Sequence, residues 1–289
     1  MRPPIALAAV VVAAAIAASA TPAGGRADAT VFSGLGAWLD IYDTDLYRPA
    51  DVQAAALAAH GVRLVWIETS NDRSVVDVVA APELGALVDA LHAHGIRVAA
   101  WTLPGHTNLG ADLRRMRAML VFRTPTGGAF DAVALDIESL REKNVKRRTG
   151  RMLALLRTLR REAGATPVAA IVYPHRTLER HPTWWPGFPW AAVAAQADVI
   201  VPMLYTGSAF RGYEATYGYV ARSLLRLRND VGASMPIHAV GGVANQLSDE
   251  ELGAFVEAVA DVGGSTGWSL YDLRTTSPAG WEALARLSG

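Results

Sequence analysis

Short apolar segments rich in Val, Ile, Trp and Tyr alternate along the chain with longer stretches rich in Ala, Leu and Arg. The short segments have the length and composition of strands, and the longer ones repeat their apolar positions with a helical period. This alternation predicts βα units, in which helices cover a parallel sheet. Eight predicted strands end near Asp40, Glu68, Trp101, Glu138, Tyr173, Tyr205, Gly241 and Tyr271, at intervals of 28 to 37 residues.

Each interval is long enough for one crossover helix. The clearest predicted helices are Pro49–His60, Pro82–His94, Val145–Ala163, Ser248–Val262 and Pro278–Leu287. Eight βα units in about 260 residues match the (β/α)8 barrel. We therefore predict an α/β protein with a single (β/α)8 TIM-barrel domain at residues 30–289. An open doubly wound sheet is the alternative, but the segment Gly34-Leu35-Gly36 begins the first strand instead of opening a helix.

The first 29 residues have a different composition. Arg2 precedes a wholly apolar run from Ile5 to Ala18, and small-residue sites follow, the last at Ala27-Asp28-Ala29. The run is shorter than the roughly 20 residues that a permanent membrane helix needs. Residues 1–29 are therefore predicted to be a cleaved signal peptide and spacer, with an uncleaved anchor as the alternative. We expect a secreted protein, extracellular or associated with the cell wall, that does not contact the membrane after cleavage.

Charge and composition exclude several classes of function. Lys plus Arg (27) equals Asp plus Glu (27), which argues against a nucleic-acid-binding surface. There is no cysteine, so disulfides, thiolate metal sites and cysteine nucleophiles are excluded. We expect a monomer that needs no metal or other cofactor.

The fourth predicted strand carries two acids. Side chains alternate along a strand, so Asp136 and Glu138 share one face with Ala134, while the apolar Leu135 and Ile137 share the face that meets the helices. The two carboxyl groups then point into the barrel, where burial and their mutual repulsion raise the pKa of one of them. Glu138 could thus stay protonated near neutral pH and act as a general acid. A buried ion pair is the alternative, but no other predicted strand end supplies an obvious inward-facing Arg or Lys.

The ends of the other strands and the loops after them complete the predicted site, because barrel enzymes build their sites there. Acids beside flat aromatic rings suit a sugar, whose C–H face stacks while its hydroxyl groups form hydrogen bonds. Trp184 and Trp185 belong to a proline-stiffened loop, although they could equally pack that loop down. The remaining candidate binding residues are Trp38, Asp40, Glu68, Trp101, Tyr173, His175 and Met203, with Tyr205 at the end of the sixth strand.

These residues resemble a known family. The segment Asp131-x-x-Ala134-x-Asp136-x-Glu138 resembles the D-x-x-D-x-D-x-E signature of family 18 glycoside hydrolases, the chitinases and their relatives. Met203-Leu204-Tyr205 resembles their M-x-Y motif on strand six, and Gly267-Trp268-Ser269-Leu270 resembles their strand-eight segment. The resemblance extends over the barrel, from about residue 32 to 289.

The resemblance implies an activity and a role for each matched residue. Glu138 would protonate the leaving glycosidic oxygen, and Asp136 would orient the substrate's own N-acetyl group as the nucleophile. Tyr205 would hydrogen-bond that group, and Trp268 would form the floor of the sugar site. The substrate would be a β-linked, N-acetylated polysaccharide. Two departures are clear, since Ala134 replaces the second Asp of the signature and the S-x-G-G motif of strand three is missing.

Three alternatives remain open. Family 25 lysozymes have a similar D-x-E strand and an acid on strand one, where this chain has Asp40, so a peptidoglycan hydrolase is one alternative. A catalytically inactive, carbohydrate-binding barrel is the second, and a barrel hydrolase with a metal held by Asp40, Glu68, Asp136 and His175 is the third. Residues 141–151 form a basic run that suits a solvated surface and could also contact an anionic wall polymer.

Overall fold

A computed structural model describes residues 28–288 of the chain. Eight parallel strands in this range pair in chain order, and the first pairs with the eighth, so the sheet closes into a barrel. The (β/α)8 prediction is confirmed. The strands are β1 (Gly34–Leu39), β2 (Leu64–Asn71), β3 (Arg97–Leu103), β4 (Ala132–Ile137), β5 (Val168–Val172), β6 (Val199–Tyr205), β7 (Ile237–Gly242) and β8 (Ser265–Tyr271).

The helices alternate with the strands and lie outside the barrel. They are α1 (Ala50–Ala59), α2 (Ala81–Ala93), α3 (Leu109–Val121), α4 (Val145–Ala163), α5 (His175–Arg180), α6 (Trp190–Ala194), α7 (Tyr213–Val231), α8 (Asp249–Val262) and α9 (Pro278–Ala285). Local capping fixes several N-termini. Ser248 forms a capping box with Glu251 at α8, and Asn144 accepts a hydrogen bond from the backbone N–H of Arg147 at α4.

Buried side chains form two separate groups, as the alternation along the strands predicts. In β4, Val133, Leu135 and Ile137 belong to the core between the sheet and the helices, whereas Ala134 lies inside the barrel. β1 and β2 follow the same rule, with Trp38 and Trp66 inside. The hydrophobic effect that holds helices to sheet therefore acts on one face of each strand, and the other face is left to build the interior.

The N-terminal end of the barrel interior is filled by aromatic rings. A short 3₁₀ helix, Ala29–Phe32, precedes β1 and places Phe32 below the strands. The ring of Phe32 stacks on Trp66 at 5.5 Å, and Trp66 stacks on Trp38 at 4.8 Å between ring centroids. The indole N–H of Trp38 donates to Ser269, 2.8 Å away, and Ser269 contacts Nε2 of His238 at 2.9 Å.

The hydrogen positions in this chain follow from its last contact. Nδ1 of His238 lies 3.0 Å from the carbonyl oxygen of Phe32, which can only accept, so Nδ1 carries the hydrogen and Nε2 accepts from Ser269. Burial lowers the pKa of His238 to about 4, so the ring is neutral. We call Phe32, Trp38, Trp66, His238 and Ser269 the aromatic floor.

Two predictions concern the N-terminal region. The predicted signal peptide lies outside the described residues, except for its last two positions. Ala29 already belongs to the 3₁₀ helix, and Asp28 caps it by accepting a hydrogen bond from the N–H of Thr30. Among residues 28–288, no helix has the length and apolar character that a membrane crossing requires.

Candidate active site

A cavity of about 440 Å³ opens at the C-terminal ends of the strands. Its walls come from β2, β3, β4, β6 and β8 and from the loops that follow β1, β2 and β4. Seven predicted site residues line it: Asp40, Glu68, Trp101, Asp136, Glu138, Met203 and Tyr205. The cavity therefore brings together the acids of three different strands with aromatic rings from three others.

The two acids of the fourth strand lie on the same wall. Asp136 is the second-last residue of β4 and is buried, and its Oδ1 has no hydrogen-bond partner among the described residues. Glu138 follows the strand and is half-buried. Burial raises the pKa of both carboxyl groups, and the charges of Glu138 and Glu68 raise the pKa of Asp136 further. The pair thus keeps a proton to higher pH than free carboxyl groups would.

Glu68 and Asp40 form the adjacent wall. The backbone N–H of Ile41 donates to Oε2 of Glu68 at 3.2 Å, which ties the end of β2 to the loop after β1. Burial raises the pKa of Glu68 to about 7, the Ile41 hydrogen bond lowers it, and the charges of Asp40 and Glu138 add to the increase. Asp40 accepts a hydrogen bond from the N–H of Tyr42 at 2.7 Å.

No Arg or Lys among residues 28–288 forms a salt bridge with any of these four acids. The guanidinium group of Arg141 does reach the rim of the cavity, but it pairs with Asp72. The alternative of a buried ion pair is therefore contradicted by the structure. Uncompensated acids in a concave site are typical of functional sites, because burying them costs folding free energy.

Three tyrosines surround the acids. Tyr205 ends β6 and Tyr271 ends β8, on either side of Gly242 in β7, and their ring centroids are 5.8 Å apart. A side chain on Gly242 would meet the backbone oxygen of Tyr271 at 2.9 Å, so the close approach of β7 and β8 at this point requires glycine. The hydroxyl of Tyr271 donates to Oδ2 of Asp40 at 2.9 Å. The hydroxyl of Tyr173 donates to the backbone oxygen of Glu138 at 3.0 Å and helps to fix the end of β4.

Burial and the neighbouring acids raise the pKa of Tyr205 well above its usual value. The group is therefore a neutral hydrogen-bond donor over the whole physiological pH range. A donor beside two carboxyl groups suits a ligand that carries an oxygen acceptor, such as an amide carbonyl or a hydroxyl.

Three predicted binding residues lie next to the cavity without lining it: Tyr173, whose hydroxyl contacts the backbone of Glu138, and the two tryptophans Trp38 and Trp184. Trp38 is buried in the aromatic floor, with its ring 5.9 Å from that of Trp101 and 6.2 Å from that of Tyr271. Trp184 stacks on His181 at 4.0 Å and lies 5.5 Å from the ring of Tyr173. Trp38 therefore supports the rings of the site from below, and Trp184 contacts Tyr173 outside the cavity lining.

Three predicted binding residues lie elsewhere, and these predictions are corrected. Trp268 faces the helices, where its indole N–H donates to the carbonyl oxygen of Leu284. Trp185 is buried in the outer core and donates to Thr149 at 2.9 Å. His175 begins α5 because Pro174 ends the extended segment, and its Nε2 pairs with Asp230 at 2.5 Å. Each of them serves packing or a contact outside the cavity.

The sequence analysis missed several residues of the cavity wall. Tyr271 is the most important, and a signal for it existed, because alternation along β8 places Gly267, Ser269 and Tyr271 on the face opposite Trp268. The other missed residues lie at the ends of β2 and β3, as Asn71 and Leu103 do, or in loops, for which strand alternation gives no direction. They are Tyr42, Asn71, Asp72, Arg73, Leu103, Ser139, Leu140 and Arg141.

One group of acids has the spacing of metal ligands. Single oxygen atoms of Asp40, Asp43 and Asp272 lie within 4.8 Å of one another. The guanidinium group of Arg274 already pairs with Asp43 there. The metal set considered from the sequence is different, and His175 does not join it, since it lies against Trp190 and Asp230.

The fold and the cavity define a (β/α)8 barrel with an acid-lined site at the C-terminal ends of its strands. Solved structures with the same fold include an endo-β-1,4-mannanase from Thermotoga petrophila, with a TM-score of 0.66 and 10% identity over 89% of this chain and 76% of that one. A chitinase from Chromobacterium violaceum ATCC 12472 has a TM-score of 0.61 and 14% identity over 89% of this chain and 99% of that one.

The spore cortex-lytic enzyme SleL of Bacillus megaterium QM B1551 has a TM-score of 0.62 and 10% identity, and the match covers 88% of this chain and 73% of that one. No protein-family model matches the sequence, and no curated protein gives a significant match. The comparisons therefore show the barrel fold that these glycoside hydrolases share.

Proposed function

We propose that this protein is an exported glycoside hydrolase that cleaves a β-linked, N-acetylated polysaccharide, with Glu138 as the general acid and base. One observation carries the proposal: Asp136, Glu138 and Tyr205 line the same cavity, and no Arg or Lys of residues 28–288 forms a salt bridge with the two acids. Similarity in fold to a chitinase and to a spore cortex-lytic enzyme supports this reading. The apolar run within residues 1–29 supports export.

The roles follow from depth and charge. Glu138, at the strand end, is the more accessible acid, so it is placed to protonate the glycosidic oxygen and then to activate water. Asp136, deeper in the wall, carries a free oxygen that can accept the N–H of an N-acetyl group. The hydroxyl of Tyr205 can donate to the carbonyl oxygen of the same group. The substrate's amide would then attack the anomeric carbon, and no second enzyme nucleophile is needed.

The departure at Ala134 has a structural counterpart. In the family resemblance, the missing Asp shares charge with the central Asp of the strand. Here the charge of Glu68, on β2, raises the pKa of Asp136 in its place. We infer that Glu68 supplies the electrostatic coupling that Ala134 cannot, so the loss of the second Asp does not by itself imply an inactive site.

The proposal is tested with purified protein and a panel of chitin oligosaccharides, peptidoglycan and plant and microbial β-glycans. Release of sugar ends should be measurable, should resist a chelator, and should fall by about 10²- to 10⁴-fold in Glu138→Gln. The matched control is Glu282→Gln, a change of the same kind at an exposed position of α9, which should keep full activity. Turnover that survives in Glu138→Gln would contradict the assignment.

A second candidate is a barrel that binds glycans without cleaving them. Ala134 and the missing strand-three motif favour it. It predicts a dissociation constant for an oligosaccharide that is similar in the wild type and in Glu138→Gln, with no turnover in either. A peptidoglycan hydrolase is a narrower variant of the first proposal, and the position of Asp40 on the cavity wall favours it. Turnover of peptidoglycan but not of chitin oligosaccharides would select it.

A further inference from the structure

The cavity has acids at its base and two guanidinium groups at its rim. Arg73 follows β2 and Arg141 follows β4, and both line the same cavity as Asp136 and Glu138. We call Arg73 and Arg141 the basic rim. The proposed chemistry makes no use of them, since a neutral N-acetylated sugar offers no charge for a guanidinium group to bind.

Arg141 is held in place from below. It forms an ion pair with Asp72, whose side chain is only 9% exposed. Asp72 packs against Gly105, where an added Cβ would lie 2.8 Å from its carboxyl group. A guanidinium group has five N–H donors, so one pair with Asp72 leaves others for a ligand, and the side chain of Arg141 is 52% exposed. Arg141 is therefore a positioned donor that remains accessible.

Arg73 carries a charge that the described part of the chain does not neutralise. Its backbone N–H donates to the side chain of Asn71 at 3.0 Å, which fixes the loop after β2. Its guanidinium group is exposed and has no hydrogen bond or ion pair among residues 28–288. Together with Arg141 and Asp72, it leaves one net positive charge at the rim.

The basic run of residues 141–151 contributes to this side only in part. Arg148 lies over the ring of Trp185 and donates to the carbonyl oxygen of Glu142, so it serves the internal structure. Arg151 donates to Glu142 and to backbone carbonyl groups. Arg141 is the member of the run that lines the cavity.

We propose that the basic rim binds carboxylate groups of the substrate, so that the preferred glycan alternates N-acetylated sugars with carboxylated sugars. The inference rests on the proposed function, because the N-acetylated sugar must occupy the base of the cavity. The acids there repel a carboxylate, which restricts the carboxylated sugar to the rim. Guanidinium groups match carboxylates in geometry and form two parallel hydrogen bonds with them. Such carboxylates can come from uronic acids or from the lactyl ether groups of a wall glycan.

Binding is measured by calorimetry in Glu138→Gln, so that turnover does not interfere. The probes are oligosaccharides of equal length: a chitin oligomer, an alternating N-acetylglucosamine–glucuronate oligomer, the same oligomer after carboxyl reduction, and a peptide-free peptidoglycan strand. Introducing Arg141→Gln or Arg73→Gln into the Glu138→Gln variant should weaken binding of a carboxylated oligomer about fivefold to tenfold. Binding of the chitin oligomer and the reduced oligomer should change by less than about twofold. The matched control, Arg157→Gln on the exposed face of α4, should change none of them.

Two further readouts sharpen the test. Raising the ionic strength from about 0.05 M to about 0.5 M should weaken only the carboxylated oligomers, because salt screens exposed charges. Whichever carboxylated probe depends on the basic rim identifies the source of the carboxylate. Equal effects of the arginine changes on all probes, or no effect on any, would overturn the inference and leave the proposed hydrolase intact. If turnover survives in Glu138→Gln while the charge-selective binding persists, the proposed chemistry is overturned and the inference about the basic rim stands.

Discussion

The two ends of the barrel interior hold different kinds of buried polar group: neutral, mostly hydrogen-bonded groups at one end and carboxyl groups at the other. In the aromatic floor, the polar atoms of Trp38, Ser269 and His238 form one directed chain that ends on the carbonyl oxygen of Phe32. In the cavity above it, Oδ1 of Asp136 has no partner among the described residues. The same eight strands thus carry a chain of hydrogen bonds at one end, beside the unpartnered indole N–H of Trp66, and at the other end a buried carboxyl oxygen without a partner among residues 28–288.

The two ends differ in what they contribute to folding stability. Burial lowers the pKa of His238 to about 4 and keeps the ring uncharged, so the floor avoids the cost of a buried charge. Burial raises the pKa of Glu68 to about 7, so the cavity accepts that cost at neutral pH. A cost that packing alone would remove is typical of a functional site.

The largest expected effect comes from breaking the floor with Gly267→Ala. A Cβ there would lie 2.2 Å from Nδ1 of His238 and 2.4 Å from the backbone oxygen of Phe32, so the chain of hydrogen bonds cannot stay in place. We expect the free energy of unfolding to fall by about 3 kcal/mol or more in urea titrations. Gly253→Ala on α8, where nothing lies within 4 Å of the added Cβ, is the matched control and should not destabilise the protein. A stable Gly267→Ala would contradict the described packing.

Removing one buried acid of the cavity with Glu68→Gln should have the next largest effect, and it should raise the free energy of unfolding. A carboxyl group whose pKa is raised on folding binds more protons in the folded state, so its contribution to stability falls as the pH rises from about 4.5 to about 7. Gln removes this loss. The variant should gain about 2 to 3 kcal/mol over the wild type at pH 8 and almost nothing at pH 4. Urea titrations at the two pH values measure the difference. An equal effect at both would contradict the raised pKa of Glu68 as its cause.

Ser269→Ala separates hydrogen bonding from packing in the floor. The change removes one oxygen and leaves the indole N–H of Trp38 and Nε2 of His238 without partners. We expect a loss of about 2 kcal/mol in the free energy of unfolding. Ser265→Ala is a useful comparison, because the hydroxyl of Ser265 already has no partner. Equal losses in the two variants would show that the network does not stabilise the floor.

Tyr271→Phe probes the boundary between the two ends and should have the smallest effect. The ring still packs against Trp38 and Tyr205, but the hydrogen bond to Asp40 is lost. A loss of about 1 kcal/mol is expected, measured by thermal unfolding. A much larger loss would mean that Tyr271 holds the two regions together through more than this one hydrogen bond.

The sequence alone predicted the barrel fold and the position of Asp136 and Glu138 inside it. Alternation along β4 separated Asp136 from Leu135, and the structure places these residues on opposite faces. The count of strands succeeded because each apolar run is bounded by a turn or a helix of regular length. α4 was predicted at the residues where it occurs, Val145–Ala163.

The errors have physical causes. Trp268 was placed in the site by resemblance, whereas alternation along β8 puts it with Leu270 on the face that meets the helices. The position of His175 was extrapolated past Val172, where the strand ends and Pro174 introduces a helix. Arg73 and Arg141 belong to loops, whose side-chain directions depend on tertiary contacts such as the pair of Arg141 with Asp72. Local sequence patterns carry no information on such contacts.

The aromatic floor closes the N-terminal end of the barrel interior. Phe32, Trp66 and His238 are fully buried, so no water column runs through the axis of the barrel. Exchange of ligands and protons between this cavity and solvent therefore takes place at the C-terminal ends of the strands, where the cavity opens. The middle of a long polymer would have to lie across this opening, whereas the end of a polymer chain could enter the cavity and leave it again.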